Sequence, residues 1–110
     1  MRQIQPRELK AWLDEAAAGR RVPPVLLDVR EPWELDVCKL PDVKSMPMRA
    51  VPARYLELRR EDEIVVVCHH GARSFRVAMF LEQQGFINVI NLYGGMAAWQ
   101  RDVAPQMATY

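Results

Sequence analysis

Five consecutive apolar residues, Ile64-Val65-Val66-Val67-Cys68, constrain what this chain can fold into more than any other feature. A strand with one wet face alternates polar and apolar positions. A run with no polar position reads instead as a strand covered on both faces, the habit of parallel sheets flanked by helices. The run ends in a cysteine, and His69-His70-Gly71-Ala72-Arg73-Ser74 leads from it into a helical pattern from about Arg73 to Gln84. Gly85, with Phe86 able to pack back on Leu81, marks the end of that helix.

The remaining elements repeat this alternation. Pro6-Arg7-Glu8 opens a segment with Leu9, Trp12, Leu13 and Ala16 at helical spacing, and Gly19 closes it. Val25 to Val29 reads as a second buried strand, and Glu31-Pro32-Trp33-Glu34-Leu35 as a short helix with proline in its first turn. Val43 to Met46 makes a brief extended piece between Pro41 and Pro47. Residues 51 to 58 form another short helix before the charged turn Arg59 to Glu63. Ile87 to Leu92 is a further strand, and Gly94-Gly95 turns into a last helix from Met96 to about Asp102. Strands alternating with helices predict an α/β fold: a small, mostly parallel sheet of about five strands with helices on both faces. The 110 residues make one domain, with a core over residues 6 to 102 and a short tail, 103 to 110, that shows no pattern.

Charge and cysteine content narrow the function. Fifteen basic residues against fourteen acidic ones leave a net charge of +1 with no long block of one sign, so no nucleic-acid or membrane partner is expected. The N-terminus lacks the apolar stretch of a signal peptide. Cys38 and Cys68 form neither a disulfide framework nor a metal-binding pair, which points to a reducing cytoplasm. His69 and His70 are adjacent but have no further ligands at metal spacing, so neither a metal nor another cofactor is expected.

Sites in open α/β sheets lie beyond the carboxyl ends of the strands, where Cys68 falls. The loop after it can curl so that successive N–H groups of residues 69 to 74 converge, with Gly71 supplying the backbone freedom and the following helix N-terminus adding partial positive charge. Arg73 is placed to add a fixed cation and to bind an oxyanion. Such surroundings would favour the thiolate of Cys68 and hold a small oxyanion against it. The competing reading of the residues is a buried structural cysteine at a strand end.

At these residues the chain resembles the rhodanese-like family, over about Pro6 to Asp102. Leu27-Asp28-Val29-Arg30-Glu31, with Trp33 and Glu34 after it, resembles the family's first signature. Cys68 to Ser74 resembles its active-site loop, and Gly94-Gly95-Met96-Ala97-Ala98-Trp99 its Gly-Gly-x-x-x-Trp segment. The resemblance implies a sulfurtransferase. Cys68 would be the nucleophile, taking sulfur from thiosulfate or a related persulfide donor and passing it from its own persulfide to cyanide, a thiol or an acceptor protein. His69, His70, Gly71, Ala72, Arg73 and Ser74 would bind the substrate. One stretch departs from the family: Cys38-Lys39-Leu40-Pro41-Asp42-Val43 stands where Gly-His-Ile-Pro-Gly-Ala is usual. It puts the geometry of that turn in question and adds a second thiol.

Two other functions fit the same fold. One is a cysteine phosphatase or arsenate reductase, although the loop here is one residue shorter than a phosphatase loop and makes a tighter ring of amides. The other is a non-catalytic binding module, which the presence of Cys68 with its glycine and arginine disfavours. Cys38 reads as a half-buried turn residue rather than a resolving thiol. Asp28, Arg30 and Glu34 read as a structural ion-pair network, and Trp12 and Trp99 as core. Trp33 is placed to line the mouth of the site, and Arg76 to face solvent.

Overall fold

A computed structural model describes all 110 residues. Five parallel strands form one sheet: β1 (Arg2–Ile4), β2 (Val25–Asp28), β3 (Lys44–Ser45), β4 (Ile64–Val67) and β5 (Val89–Leu92), in the order β1-β5-β4-β2-β3. The apolar run is thus the central strand, pairing Val25 with Ile64 on one side and Ile64 with Val89 on the other. Between the strands lie α1 (Pro6–Ala17), α2 (Pro32–Val37), α3 (Val51–Arg54), α4 (Ala72–Gln83) and α5 (Gly95–Asp102).

Side-chain alternation along β4 divides the core in two. Ile64, Val66 and Cys68 pack with Val77, Ala78 and Leu81 of α4 and with Val51 of α3. Val65 and Val67 pack on the other face with Leu9 and Trp12 of α1 and Met96 and Trp99 of α5. Every residue of β4 is buried, which is why the run carries no polar position. Trp12 and Trp99 are core residues, as expected from their spacing. No helix is long and apolar enough to cross a membrane.

Three details differ from the expectation. Arg2–Ile4 is an edge strand that no pattern announced, because only Ile4 of the three is buried. The helix expected over 51 to 58 is one short α-helical piece between the 3₁₀ turns Met48–Ala50 and Tyr55–Glu57. In the divergent turn, Asp42 takes a left-handed backbone, φ 58°, at the position where the family pattern has glycine. Aspartate is among the few side chains that tolerate this region, so the turn survives the substitution.

Candidate active site

Cys68 leaves the end of β4 and is 1% exposed. The chain then curls through His69 and His70 to Gly71, which caps α4 with a left-handed backbone, φ 99°. This turn brings the Gly71 N–H to 3.0 Å from Cys68 Sγ. A side chain at 71 would be strained in that conformation, and its Cβ would also lie 3.2 Å from the Gly94 nitrogen.

The rest of the loop is oriented from outside, by α5. The carbonyl of Cys68 accepts from the Met96 N–H at 2.8 Å, and that of His69 from the Ala97 N–H at 2.9 Å. In a trans peptide the N–H points opposite to the carbonyl. Turning those two carbonyls onto α5 therefore turns the N–H groups of His69 and His70 away from it, toward the inside of the loop. The N–H groups of Ala72, Arg73 and Ser74 belong to the first turn of α4 and have no intrahelical acceptor. Gly95 makes the docking possible: a Cβ there would sit 2.4 Å from the Cys68 oxygen and 2.5 Å from the His69 oxygen. The Gly94-Gly95 pair thus shapes the loop at a distance in sequence.

A buried polar chain backs the sulfur. Ser74 Oγ lies 3.2 Å from Cys68 Sγ and donates to Asn91 Oδ1. Asn91 in turn donates to the Gly71 carbonyl at 3.3 Å and to Gln3 Oε1 at 2.8 Å. With its proton given to Asn91, Ser74 presents a lone pair to the thiol; rotating the hydroxyl would let it donate to a charged sulfur instead.

A sequence model of the rhodanese-like domain matches residues 5–102. The chain belongs to the rhodanese-like family. It is 38% identical over 84 residues to a sulfurtransferase of Allochromatium vinosum, covering 76% of this chain and 78% of that protein. It is 30% identical to MOCS3-2 of Zea mays, an adenylyltransferase and sulfurtransferase, over 97% of this chain but only 23% of that longer protein. The structure superimposes on a rhodanese-like domain protein of Staphylococcus aureus with a TM-score of 0.81 at 33% identity, covering 90% of this chain and 91% of that one. Rhodanese-like sulfur transfer is therefore the chemistry to set against this loop.

Within this rhodanese-like domain, two of the residues expected to bind substrate, Gly71 and Ser74, meet the Cys68 sulfur directly, His69, His70 and Ala72 lie on the loop and at the start of α4, and Arg73 does not stand free. Its two terminal nitrogens each meet a Glu34 oxygen at 2.8 Å, with the arginine side chain 33% exposed and the glutamate 4%. Arg73 holds the Glu34 carboxyl well below its ordinary range, at about 2, helped by hydrogen bonds from the Tyr110 hydroxyl and the Glu31 N–H. The arginine offered as a free anion ligand is thus already committed to a carboxylate. Asp28 and Arg30 do pair, fully buried, at 2.8 Å, and Arg30 also donates to the Cys38 carbonyl at 2.8 Å. His69 stacks on Tyr110 at 4.2 Å and meets His70 edge-on at 4.1 Å. Burial lowers its pKa, with His70 acting in the same direction.

Cys38 lies elsewhere. It caps the C-terminal end of α2 and packs against the core on the sheet face opposite Cys68, and both thiols are free. Four contributors escaped the sequence reading: Asn91 and Gln3, which back the loop; Glu34 as the partner of Arg73; and Tyr110. Only Asn91 left a trace, as a polar residue inside an otherwise apolar strand.

Proposed function

We propose that the protein transfers sulfane sulfur through a persulfide on Cys68. The thiolate attacks the outer sulfur of thiosulfate, the S–S bond of the donor breaks, and sulfite departs with its electron pair, leaving Cys68–S–S⁻. An acceptor nucleophile then attacks the terminal sulfur; cyanide leaves as thiocyanate, a thiolate as a persulfide, and Cys68 returns as the thiolate. The observation that carries this reading is the Gly71 N–H at 3.0 Å from Sγ, at the head of a helix whose first N–H groups have no intrahelical acceptor. Such donors stabilise negative charge on the sulfur and on the transferred atom. The sulfonate of the donor would be held by the N–H groups at the start of α4, which have no intrahelical acceptor, since Arg73 is spent on Glu34.

The short loop supports sulfur over phosphate as the transferred group, since a phosphoryl group carries three oxygens that each need a donor. The biological acceptor is a thiol, small or protein-borne, in a reducing cytoplasm. The test is a pair of assays on the wild type and Cys68→Ser. Thiocyanate should form from thiosulfate and cyanide only with the wild type, and neither protein should hydrolyse an aryl phosphate. Phosphate-ester cleavage by the wild type without thiocyanate formation would overturn the proposal.

A further inference from the structure

The tail after α5 is tied back to the body. The N–H groups of Val103 and Ala104 bond the Trp99 carbonyl at 2.8 and 3.1 Å, Met107 N–H bonds that of Ala104, and Gln100 donates to the Pro105 carbonyl. Met107 packs against the core on the α1 and α5 face. Three residues on, the Tyr110 ring lies between α2 and the loop that follows Cys68. One face stacks on His69 at 4.2 Å, and the ring meets Trp33 of α2 edge-on at 5.1 Å. Its hydroxyl donates to Glu34 Oε1 at 2.7 Å and accepts from Arg30 Nη1 at 3.1 Å. Burial, and then the Glu34 carboxylate, push the phenol up to about 12, so this clasp does not ionise at neutral pH.

Tyr110 therefore bridges α2 and the loop residue that directly follows the nucleophile. Cys68 itself is almost wholly buried, and the Nδ1 of the neighbouring His69 is buried with no partner. Ala108 and Thr109 are exposed, so between Met107 and the site it is the Tyr110 side chain that makes the contacts.

We propose that Tyr110 is a specificity-determining residue: a cap on the side of the site between Trp33 and His69 that passes compact acceptors and hinders bulky thiols. The inference rests on the persulfide reading above, and the first step of the test separates the two. Wild type, Tyr110→Phe and Tyr110→Ala are loaded with thiosulfate and weighed by mass spectrometry. A wild type that takes up no sulfur overturns the persulfide reading itself.

The loaded proteins are then discharged with cyanide and, separately, with glutathione. Tyr110→Ala should raise the glutathione rate relative to the cyanide rate by about fivefold or more, as expected when a gating group is removed. Tyr110→Phe keeps the ring and should keep the wild-type ratio. A chain ending at Thr109 should behave as the alanine variant does, and it supplies the same ratio if that variant folds poorly. The His69 titration, followed by NMR, should move upward in Tyr110→Ala as burial is relieved. An unchanged acceptor ratio, or an unchanged His69 titration, in loaded and folded protein lacking the ring overturns the cap.

Discussion

Cys68 precedes a helix and Cys38 follows one, so the backbone presents different groups to the two sulfurs. At Cys68 the chain enters α4, whose first N–H groups have no intrahelical acceptor, and the Gly71 N–H donates to the sulfur. At Cys38 the chain leaves α2: its own N–H is spent on the Glu34 carbonyl, and its carbonyl on Arg30. The Cys38 sulfur has one polar neighbour, Arg30 Nη1 at 3.8 Å, and that nitrogen is shared with the Tyr110 hydroxyl. Both thiols are free, and each sits near an arginine. A nearby cation does not distinguish them; the direction in which the backbone presents its donors does.

The largest way to break that contrast is to spoil the backbone around Cys68 without touching its side chain. In Gly95→Ala the new Cβ would collide with the Cys68 and His69 carbonyls, and φ is already left-handed at 61°. Those carbonyls must move, and the inward N–H groups move with them. Sulfur transfer should fall by about 10²–10³, the cost of losing donors of the oxyanion-hole kind. Stability should fall by roughly 1–3 kcal/mol, as for a strained backbone. Steady-state kinetics with thermal unfolding checks both, and near-normal turnover would show that α5 does not shape the loop.

A smaller effect belongs to the charged pair on the rim. Arg73→Ala strands the Glu34 carboxylate, 4% exposed, with only the Tyr110 hydroxyl and the Glu31 N–H as partners. A fully buried pair costs about 3–5 kcal/mol to break; because the arginine is a third exposed, roughly 1–3 kcal/mol is expected. Urea unfolding of the wild type and the variant tests it. Glu34 also fixes a pH dependence. Its carboxyl is lowered from 4.5 to about 2, so its contribution is complete above 4.5 and is lost as pH falls from there toward 2. Glu34→Gln should flatten that acid limb of the stability curve; an unaltered limb would assign it to other carboxylates.

The smallest expected effect is at Cys38. Cys38→Ala removes a half-buried thiol from the far face of the sheet, so turnover should stay within a few-fold and stability within about 1 kcal/mol. A large loss of turnover in a folded protein would make Cys38 a working thiol and end the contrast.

The sequence made the sheet and the loop around Cys68 legible because both are local. A run of apolar residues, a glycine three residues after the cysteine and a helix behind it all lie within one stretch of chain. The role of Gly95 was visible only as a paired glycine; its reason, two carbonyls docked on α5, needs three dimensions. Glu34 and Arg73 are 39 residues apart, and Glu34 and Tyr110 are 76 apart. No periodicity connects such positions, so Glu34 reads with Asp28 and Arg30, Arg73 reads with the anion, and neither reads with the other. The edge strand β1 was hidden for a simpler reason, since one buried isoleucine in three residues makes no pattern.

The central claim is that Cys68, and not Cys38, carries the transferred sulfur. The most direct measurement loads the protein with thiosulfate, blocks free thiols, digests it without reductant and locates the added sulfur by mass spectrometry of the peptides. The account predicts one extra sulfur atom on the peptide containing Cys68, removed by cyanide, and none on the peptide containing Cys38. Sulfur found on Cys38, or a Cys68 peptide that stays unmodified while thiocyanate is produced, would contradict it.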